Sequence, residues 1–205
     1  TSRGLGDVYK RQPIDHIRQF AKLAPEVERR LRAMMRQERF PKGYIIQGSQ
    51  TLSANAFYIV SGAARLFYTH RGREHTISFA FSDQFALVPR NISRRYGDTL
   101  AVQFLEPSTL IFIPHQPVRD QLEESGAVDP NEGLLFLNTA LLHYTDFLEE
   151  RVDVMQTLSA SERYAWALSR FPRLTECAST TQIASFLGLT KETLYRIKNG
   201  HYNAG

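Results

Sequence analysis

The chain has 205 residues, of which 42% are hydrophobic, 22% charged and 11% aromatic, and its formal net charge is +4. This is the composition of an ordinary globular protein with one large or two small domains. No apolar run approaches the roughly 18 residues of a membrane span, and the first residues lack the order of a secretory signal, so we expect a cytoplasmic protein.

The first segment of the chain divides into a leader and a helical region. Residues 1–12 begin without Met, carry two glycines and show no period, and we interpret them as a non-native leader. From residue 13 to residue 38 apolar residues recur at spacings of three and four, which predicts amphipathic helix. Pro25 should divide this region into two helices, and Pro41-Lys42-Gly43 should end it.

Short β-rich runs separated by turn residues occupy the middle of the chain. The predicted strands cover residues 44–46, 57–60, 64–70, 74–81, 100–105 and 109–113. Arg71-Gly72 and Glu106-Pro107-Ser108 have turn chemistry. Such a series is typical of a small sandwich, barrel or jelly roll.

A long helix should begin at Asp129-Pro130 and carry an apolar seam. Most seam residues recur every seven positions, and the others lie close to the same stripe. The predicted dimerisation residues are Leu134, Leu137, Leu141, Leu148, Val152 and Met155. The alternative is a helix that packs on its own domain.

A capping box after the long helix marks the start of the last helical region. Ser159 is followed three residues later by Glu162, which predicts a new helix and a joint near Leu158. We therefore predict a sensor-like domain at residues 13–128, a dimerisation helix at 129–158 and a DNA-binding domain at 159–205.

Residues 179–197 have the pattern of a helix-turn-helix. Ser179 and Gln182 can cap a short first helix, Gly188 supplies the backbone freedom of a tight turn, and Thr190 can cap a second helix. A second helix of this kind fits the major groove of DNA. The basic balance after residue 160, six Lys and Arg against three Asp and Glu, suits a phosphate backbone.

The residues that face outward on this segment are candidates for DNA contact. Arg196 can donate to guanine, Glu192 can accept from cytosine, and Lys191 or Lys198 can bind phosphate. The predicted DNA-binding residues are Thr181, Gln182, Thr190, Lys191, Glu192, Thr193, Tyr195, Arg196 and Lys198. The alternative is a surface helix in which Glu192 and Arg196 merely pair with each other.

The chain resembles the family of the cyclic-AMP receptor protein and the fumarate-nitrate reductase regulator (Crp/Fnr). Residues 57–62 are similar to the family's β-roll motif, and residues 190–197 to its recognition helix. The resemblance implies an α+β fold with an N-terminal β-roll (a jelly roll like those that bind cyclic nucleotides), flanking helices, a long dimerisation helix and a C-terminal helix-turn-helix. It also implies operator contacts by Lys191, Glu192 and Arg196. The implied partners are double-stranded DNA and a second copy of the chain, with RNA polymerase as a further candidate.

The cyclic-nucleotide motifs of that family are altered. Residues 84–87 lack its Gly-Glu pair, and Asp98 stands where an Arg should bind phosphate. A carboxylate repels a phosphate, so we predict that the chain does not bind cyclic AMP in the usual way. An unknown small-molecule effector could instead bind to a basic group and a nearby threonine, at Arg90, Arg94, Arg95 and Thr99.

Cofactors and a wing are also expected to be missing or reduced. The single cysteine, Cys177, cannot form a thiolate zinc site or a cysteine-ligated iron–sulfur cluster, and the histidines show no metal-ligand spacing. We therefore expect no metal and no cofactor. Only residues 199–205 follow the recognition helix, so the family's β-hairpin wing is either minimal or truncated.

Two other functions compete with DNA binding. A cupin-like metal enzyme would need a second ligand pair besides His70 and His75, and the sequence offers none, so we expect no enzyme. A protein-interaction module on the same fold would not need the outward Lys191, Glu192 and Arg196.

Overall fold

The structure is a computed structural model that describes residues 12–19, 25–48, 52, 55–86, 96–114 and 130–200. Within these ranges, the side chains of residues 27, 130–141 and 143 are not described. Several predicted features lie outside the described residues: residues 1–11 of the leader, the basic group at Arg90, Arg94 and Arg95, Leu87, and residues 201–205 of the wing region.

Among the described residues, the element order is two N-terminal α-helices, eight strands with a short 3-10 helix (Gly97–Thr99) before the seventh, and five further α-helices. The first helix, α1, covers residues 12–18. The next elements are α2 (Pro25–Met34), β1 (Arg36–Phe40), β2 (Ile45–Gln47), β3 (Asn55–Ser61), β4 (Ala63–His70), β5 (Arg73–Phe81), β6 (Gln84–Ala86), β7 (Leu100–Phe104) and β8 (Ser108–Pro114). The C-terminal helices are α3 (Pro130–Thr157), α4 (Ala160–Arg170), α5 (Leu174–Cys177), α6 (Thr180–Leu187) and α7 (Lys191–Lys198).

The strands form two antiparallel sheets of four. One sheet has the order β1-β8-β3-β6, and the other has the order β2-β7-β4-β5. The β4–β5 hairpin turns at Arg71 and Gly72, where the sequence predicts it. The prediction of an α+β fold, with an N-terminal two-sheet β-domain and C-terminal helices, is confirmed.

Three apolar clusters cover both faces of both sheets. The cluster between the sheets is built around fully buried Phe57, Leu100 and Phe104. A second cluster joins the N-terminal helices to the first sheet, for example Ile14 to Ile111. Strands that are covered on two faces need not alternate, and the central part of β3 is accordingly buried at four consecutive positions.

The third cluster joins the second sheet to the C-terminal helices. Phe79 and Phe81 of β5 contribute from the sheet, and Phe171, Ile183 and Phe186 contribute from the helices. The Phe79 and Phe186 rings meet edge to face with centroids 5.3 Å apart. The last three helices are therefore held on the outer face of the second sheet.

The prediction of helix from residue 13 to residue 38 is wrong at its end. The division at Pro25 is confirmed, because α2 begins at that proline, but α2 stops at Met34. Residues 36–40 form an edge strand that pairs with β8. The only large apolar side chain of this strand is Phe40, which stacks on Phe104 with ring centroids 4.7 Å apart. The other four residues of the strand are polar or charged, like the exposed face of α2, so nothing in the sequence marks the end of the helix.

Candidate nucleic-acid interface

The first helix of the candidate interface, α6, is capped at both ends as the sequence predicts. The Ser179 hydroxyl accepts from the Gln182 backbone N–H at 3.3 Å, and the Gln182 side chain accepts from the Ser179 N–H at 2.9 Å. Gly188 ends the helix in the left-handed region with φ of 65°. The Leu189 N–H then donates to the Ala184 carbonyl at 2.9 Å, which closes the turn.

The second helix, α7, begins one turn later. The Thr190 hydroxyl accepts from the Thr193 N–H at 3.1 Å and caps the helix. Leu194 is fully buried in the cluster that α6 and α4 share. One face of α7 is therefore fixed inward by packing and its N-terminus by a cap, which leaves the opposite face to the solvent.

The exposed face of α7 carries the side chains that the sequence singles out. Lys191, Glu192, Arg196 and Lys198 are exposed, and Tyr195 is 63% exposed. Within the described part of the chain, neither Glu192 nor Arg196 is held in an ion pair. The pairing of Glu192 with Arg196, which was the alternative explanation of this pattern, is not present.

The remaining predicted DNA-binding residues have different surroundings. Thr181 is exposed near the start of α6, and Thr193 is half-buried with its hydroxyl 3.0 Å from that of Thr190. Gln182 has both ends of its amide engaged, because its nitrogen donates to Gln103 of β7 at 3.2 Å. The structure thus brings the α7 residues together on one surface and turns Gln182 toward the sandwich.

The predicted dimerisation seam on α3 is partly open to the solvent. Val152 is 54% exposed and Leu148 half-buried, and both line a shallow groove of about 320 Å³ whose other lining residues are Thr145, Glu149, Asp153 and Gln156. Leu142, which the sequence analysis did not select, is also 54% exposed. Met155 instead packs with the C-terminal helices of its own chain. The side chains of Leu134, Leu137 and Leu141 lie outside the described part.

The residues that were compared above with the family's cyclic-nucleotide motifs have local structural roles. The Gln84 side chain accepts from the Phe81 N–H at 3.1 Å and closes the β5–β6 turn. The Thr99 hydroxyl donates to the Tyr96 carbonyl at 2.6 Å, and Asp98 is exposed. Tyr96 stacks on Tyr68 with centroids 3.8 Å apart against the core between the sheets.

The described residues offer little for metal or thiol chemistry. No group of three or more His, Cys, Asp or Glu among them could hold a metal ion. His75 is stacked on Tyr68 at 5.0 Å, and the centroid of its ring is 6.4 Å from that of His70. Burial raises the pKa of the Cys177 thiol, which lowers its thiolate fraction. None of the described helices has the length and apolarity to cross a membrane.

Comparisons with known proteins show the fold. No family model matches the chain, and no curated protein matches it. Among solved structures, FixK2 from Bradyrhizobium japonicum is 19% identical, with 81% of this chain and 83% of that chain covered and a TM-score of 0.63. The c-di-GMP-responsive global regulator CLP from Xanthomonas campestris is 14% identical, with 89% and 96% covered and a TM-score of 0.64.

A third similar structure carries a family name. It is described as a transcriptional regulator of the crp/fnr family from Eubacterium rectale, is 17% identical, covers 87% of this chain and 83% of its own, and has a TM-score of 0.66. At these identities the likenesses concern the fold. The chain has the fold of Crp/Fnr regulators over most of its length.

Proposed function

We propose that this chain is a dimeric, sequence-specific DNA-binding transcription regulator in which α6 and α7 form the helix-turn-helix. The observation that carries the proposal is the exposed face of α7. Its Lys191, Glu192 and Arg196 extend from a capped helix anchored by Leu194 and are free of ion pairs among the described residues. A structural surface helix needs no such set of unpaired charges on one face.

Each exposed side chain has a defined part in DNA recognition. The Arg196 guanidinium can donate two hydrogen bonds to the O6 and N7 of a guanine, and the Glu192 carboxylate can accept from a cytosine amine. Lys191 at the helix N-terminus and Lys198 at its end suit backbone phosphates, which position the helix without selecting sequence. Thr181 lies near the start of α6, where an exposed hydroxyl can also donate to phosphate.

Two chains would associate through α3. Leu148 and Val152 lie four residues apart on the same side of a 28-residue helix, and they line one groove together with Thr145, Glu149, Asp153 and Gln156. A parallel pair of such helices would bury Leu148 and Val152 against the partner and give the assembly twofold symmetry. Two recognition helices would then enter successive major grooves about 34–36 Å apart, so the operator should be an inverted repeat.

The sandwich would act as a cytoplasmic sensor-like domain without bound cofactor or enzymatic activity. Gln84 closes a turn, Asp98 is exposed, and the Tyr68–Tyr96 stack lies against the core between the sheets. These features support a domain that does not take cyclic AMP in the usual way. By the family resemblance, this domain would bind an unidentified small-molecule effector, and the dimer would contact RNA polymerase.

Selection of bound duplexes from a random DNA pool tests the proposal. The wild type, with no ligand added, should enrich an inverted repeat. The Arg196→Ala variant should lose that enrichment. The matched Arg39→Ala variant, which removes an exposed arginine of β1, should keep it. A folded dimer that enriches no duplex at low salt would contradict DNA binding and favour a protein-interaction module.

A further inference from the structure

The first helix of the pair, α6, is bonded to the edge of the sandwich. Strand β5 is the outer strand of its sheet, and β4 pairs with only one of its sides. On the other side, the Ser185 hydroxyl accepts from the Thr76 N–H and donates to the Glu74 carbonyl, each at 2.9 Å. One α6 side chain therefore satisfies two backbone groups of β5 as a neighbouring strand would.

One arginine of α3 joins three elements at the same place. The Arg151 guanidinium donates to the Ile77 carbonyl of β5 at 3.0 Å and to the Phe186 carbonyl of α6 at 2.9 Å. It also lies over the Phe186 ring, 4.7 Å from its centroid. A planar guanidinium can bond two carbonyls and stack on a ring at once, which a lysine ammonium cannot do.

The charge of Arg151 suits this position. Phe186 lies in the last turn of α6, where unpaired carbonyls favour a cation. Burial lowers the pKa of Arg151, but a guanidinium stays charged in proteins. The two carbonyls that the guanidinium bonds belong to different elements, Ile77 to β5 and Phe186 to α6, so separation of α6 from β5 must break at least one of these hydrogen bonds.

Two more polar contacts hold the same helices to the sandwich. Arg173, at the start of α5, donates to both carboxylate oxygens of Glu106 at 2.9 Å. Gln182 of α6 donates to Gln103 of β7. Throughout this docking the exposed face of α7 stays open, so the docked arrangement is compatible with DNA contact.

We infer that Arg151 is a positioning residue that fixes the orientation of the α6–α7 pair on the β5 edge, and so fixes the separation of the two recognition helices in a dimer. This inference rests on the proposed function. Two linked binding modules gain from avidity only when both can engage at once, and that requires a fixed spacing. Loss of the Arg151 contacts should therefore weaken two-site binding and spare binding to one half-site.

The test uses a series of duplexes in which base pairs are added or removed between the two selected half-sites. The wild type should prefer one spacing by at least about tenfold, and Arg151→Gln should reduce that preference to within about threefold. Single half-site affinity should stay within about twofold of wild type, because α7 is unchanged. Arg151→Lys should behave like Arg151→Gln, whereas Arg39→Gln should behave like wild type.

A second measurement, hydrogen exchange at one backbone amide, is independent of DNA. Ser185→Ala removes one hydroxyl, and hydrogen exchange at the Thr76 amide should become faster in it and in Arg151→Gln. Unchanged exchange would overturn the docking. The positioning role would be overturned if Arg151→Gln kept the spacing preference of the wild type, or if Arg151→Gln or Ser185→Ala bound the operator more tightly than the wild type. If the wild type selects no duplex, the proposed function and the positioning role fail together, while the exchange rates still decide whether α6 docks on β5.

Discussion

At the scale of single residues, Gly62 shows how closely the sandwich is packed. Its φ is +111°, and a Cβ built at this position would lie 2.7 Å from the Cα of Ser108, which is buried in the paired sheet. We expect Gly62→Ala to lower the free energy of unfolding by about 3 kcal/mol or more, because backbone strain and a steric clash add.

Gly72→Ala is the matched control for this substitution. Gly72 also has a positive φ, of +72°, but nothing lies within 4 Å of its Cβ position. Only the backbone strain remains, about 1–2 kcal/mol. Urea unfolding of both variants measures the difference, and equal losses would contradict the close approach at Gly62.

The exposed Glu162 side chain gives the cap of α4 a pH dependence. It accepts from the Ser159 N–H and the Ser159 hydroxyl, and these hydrogen bonds hold the pKa of the carboxyl below its ordinary value of 4.5. A carboxyl with a depressed pKa stabilises the fold above its unfolded-state pKa, and this stabilisation is lost as the pH falls through the folded-state pKa.

Glu162→Gln should therefore be less stable than wild type at neutral pH. The difference in unfolding free energy between the two proteins should shrink as the pH is lowered past about 4.5, where the unfolded-state carboxyl takes up its proton. Denaturant unfolding at several pH values measures this convergence. A difference that stays constant across the range would show that the carboxylate charge is not involved.

At this scale the helix caps could be predicted from local sequence, whereas the long-range contacts could not. The Ser179–Gln182 and Thr190 caps involve residues three apart, so the sequence alone indicates them. The same spacing could not show that the Gln182 amide also donates to Gln103, because that partner is 79 residues away.

At the scale of elements, α7 should separate contacts that select sequence from contacts that only bind. Glu192→Gln should change the preference at one base pair by about 1–3 kcal/mol, because the amide also presents donors. Lys198→Ala should weaken binding to all duplexes alike and lower the slope of log K against log salt by about 0.9. Competition binding at several salt concentrations distinguishes the two effects, and sequence-dependent losses in Lys198→Ala would contradict this assignment.

The strands show where periodicity fails as a signal. The four long strands, β3, β4, β5 and β8, each contain a predicted run, because valine, isoleucine and aromatic residues cluster in them. The short strands β1 and β6 were missed: β1 is mostly polar, and β6 has only three residues. In β5, a register shift opposite Leu66 and Phe67 sends Ile77 to the core between the sheets and Phe79 and Phe81 to the outer face. The apparent alternation of these three residues does not mark one face.

At the scale of the whole molecule, the seam of α3 should decide the oligomeric state. Val152→Glu would place a carboxylate beside Leu148 in the proposed dimer contact, and an unpaired buried charge costs about 3 kcal/mol, which corresponds to a rise in the dimer dissociation constant of about 100-fold. Sedimentation velocity over a concentration series measures it. Ala165→Glu, on the exposed side of α4, adds the same charge and should leave the dimer intact. Equal effects of the two substitutions on the dimer dissociation constant would contradict an interface on α3.

The assembly of the domains was the least predictable feature. A seven-residue repeat identified the long helix, but it could not tell which seam residue faces a partner and which faces its own chain, and Met155 faces its own chain. The Arg151 bridge and the Ser185 bonds join segments more than 30 and more than 100 residues apart. No local pattern encodes such contacts, so the sequence indicated the helix pair and the structure was needed to locate it on β5.

The proposed dimer places two α7 helices in successive major grooves of the operator. Hydroxyl-radical footprinting of the wild type on its selected duplex tests it most directly. We expect two protected patches on one face of the duplex, about 10 base pairs apart and related by twofold symmetry. A single protected patch, or uniform protection along the duplex, would contradict it.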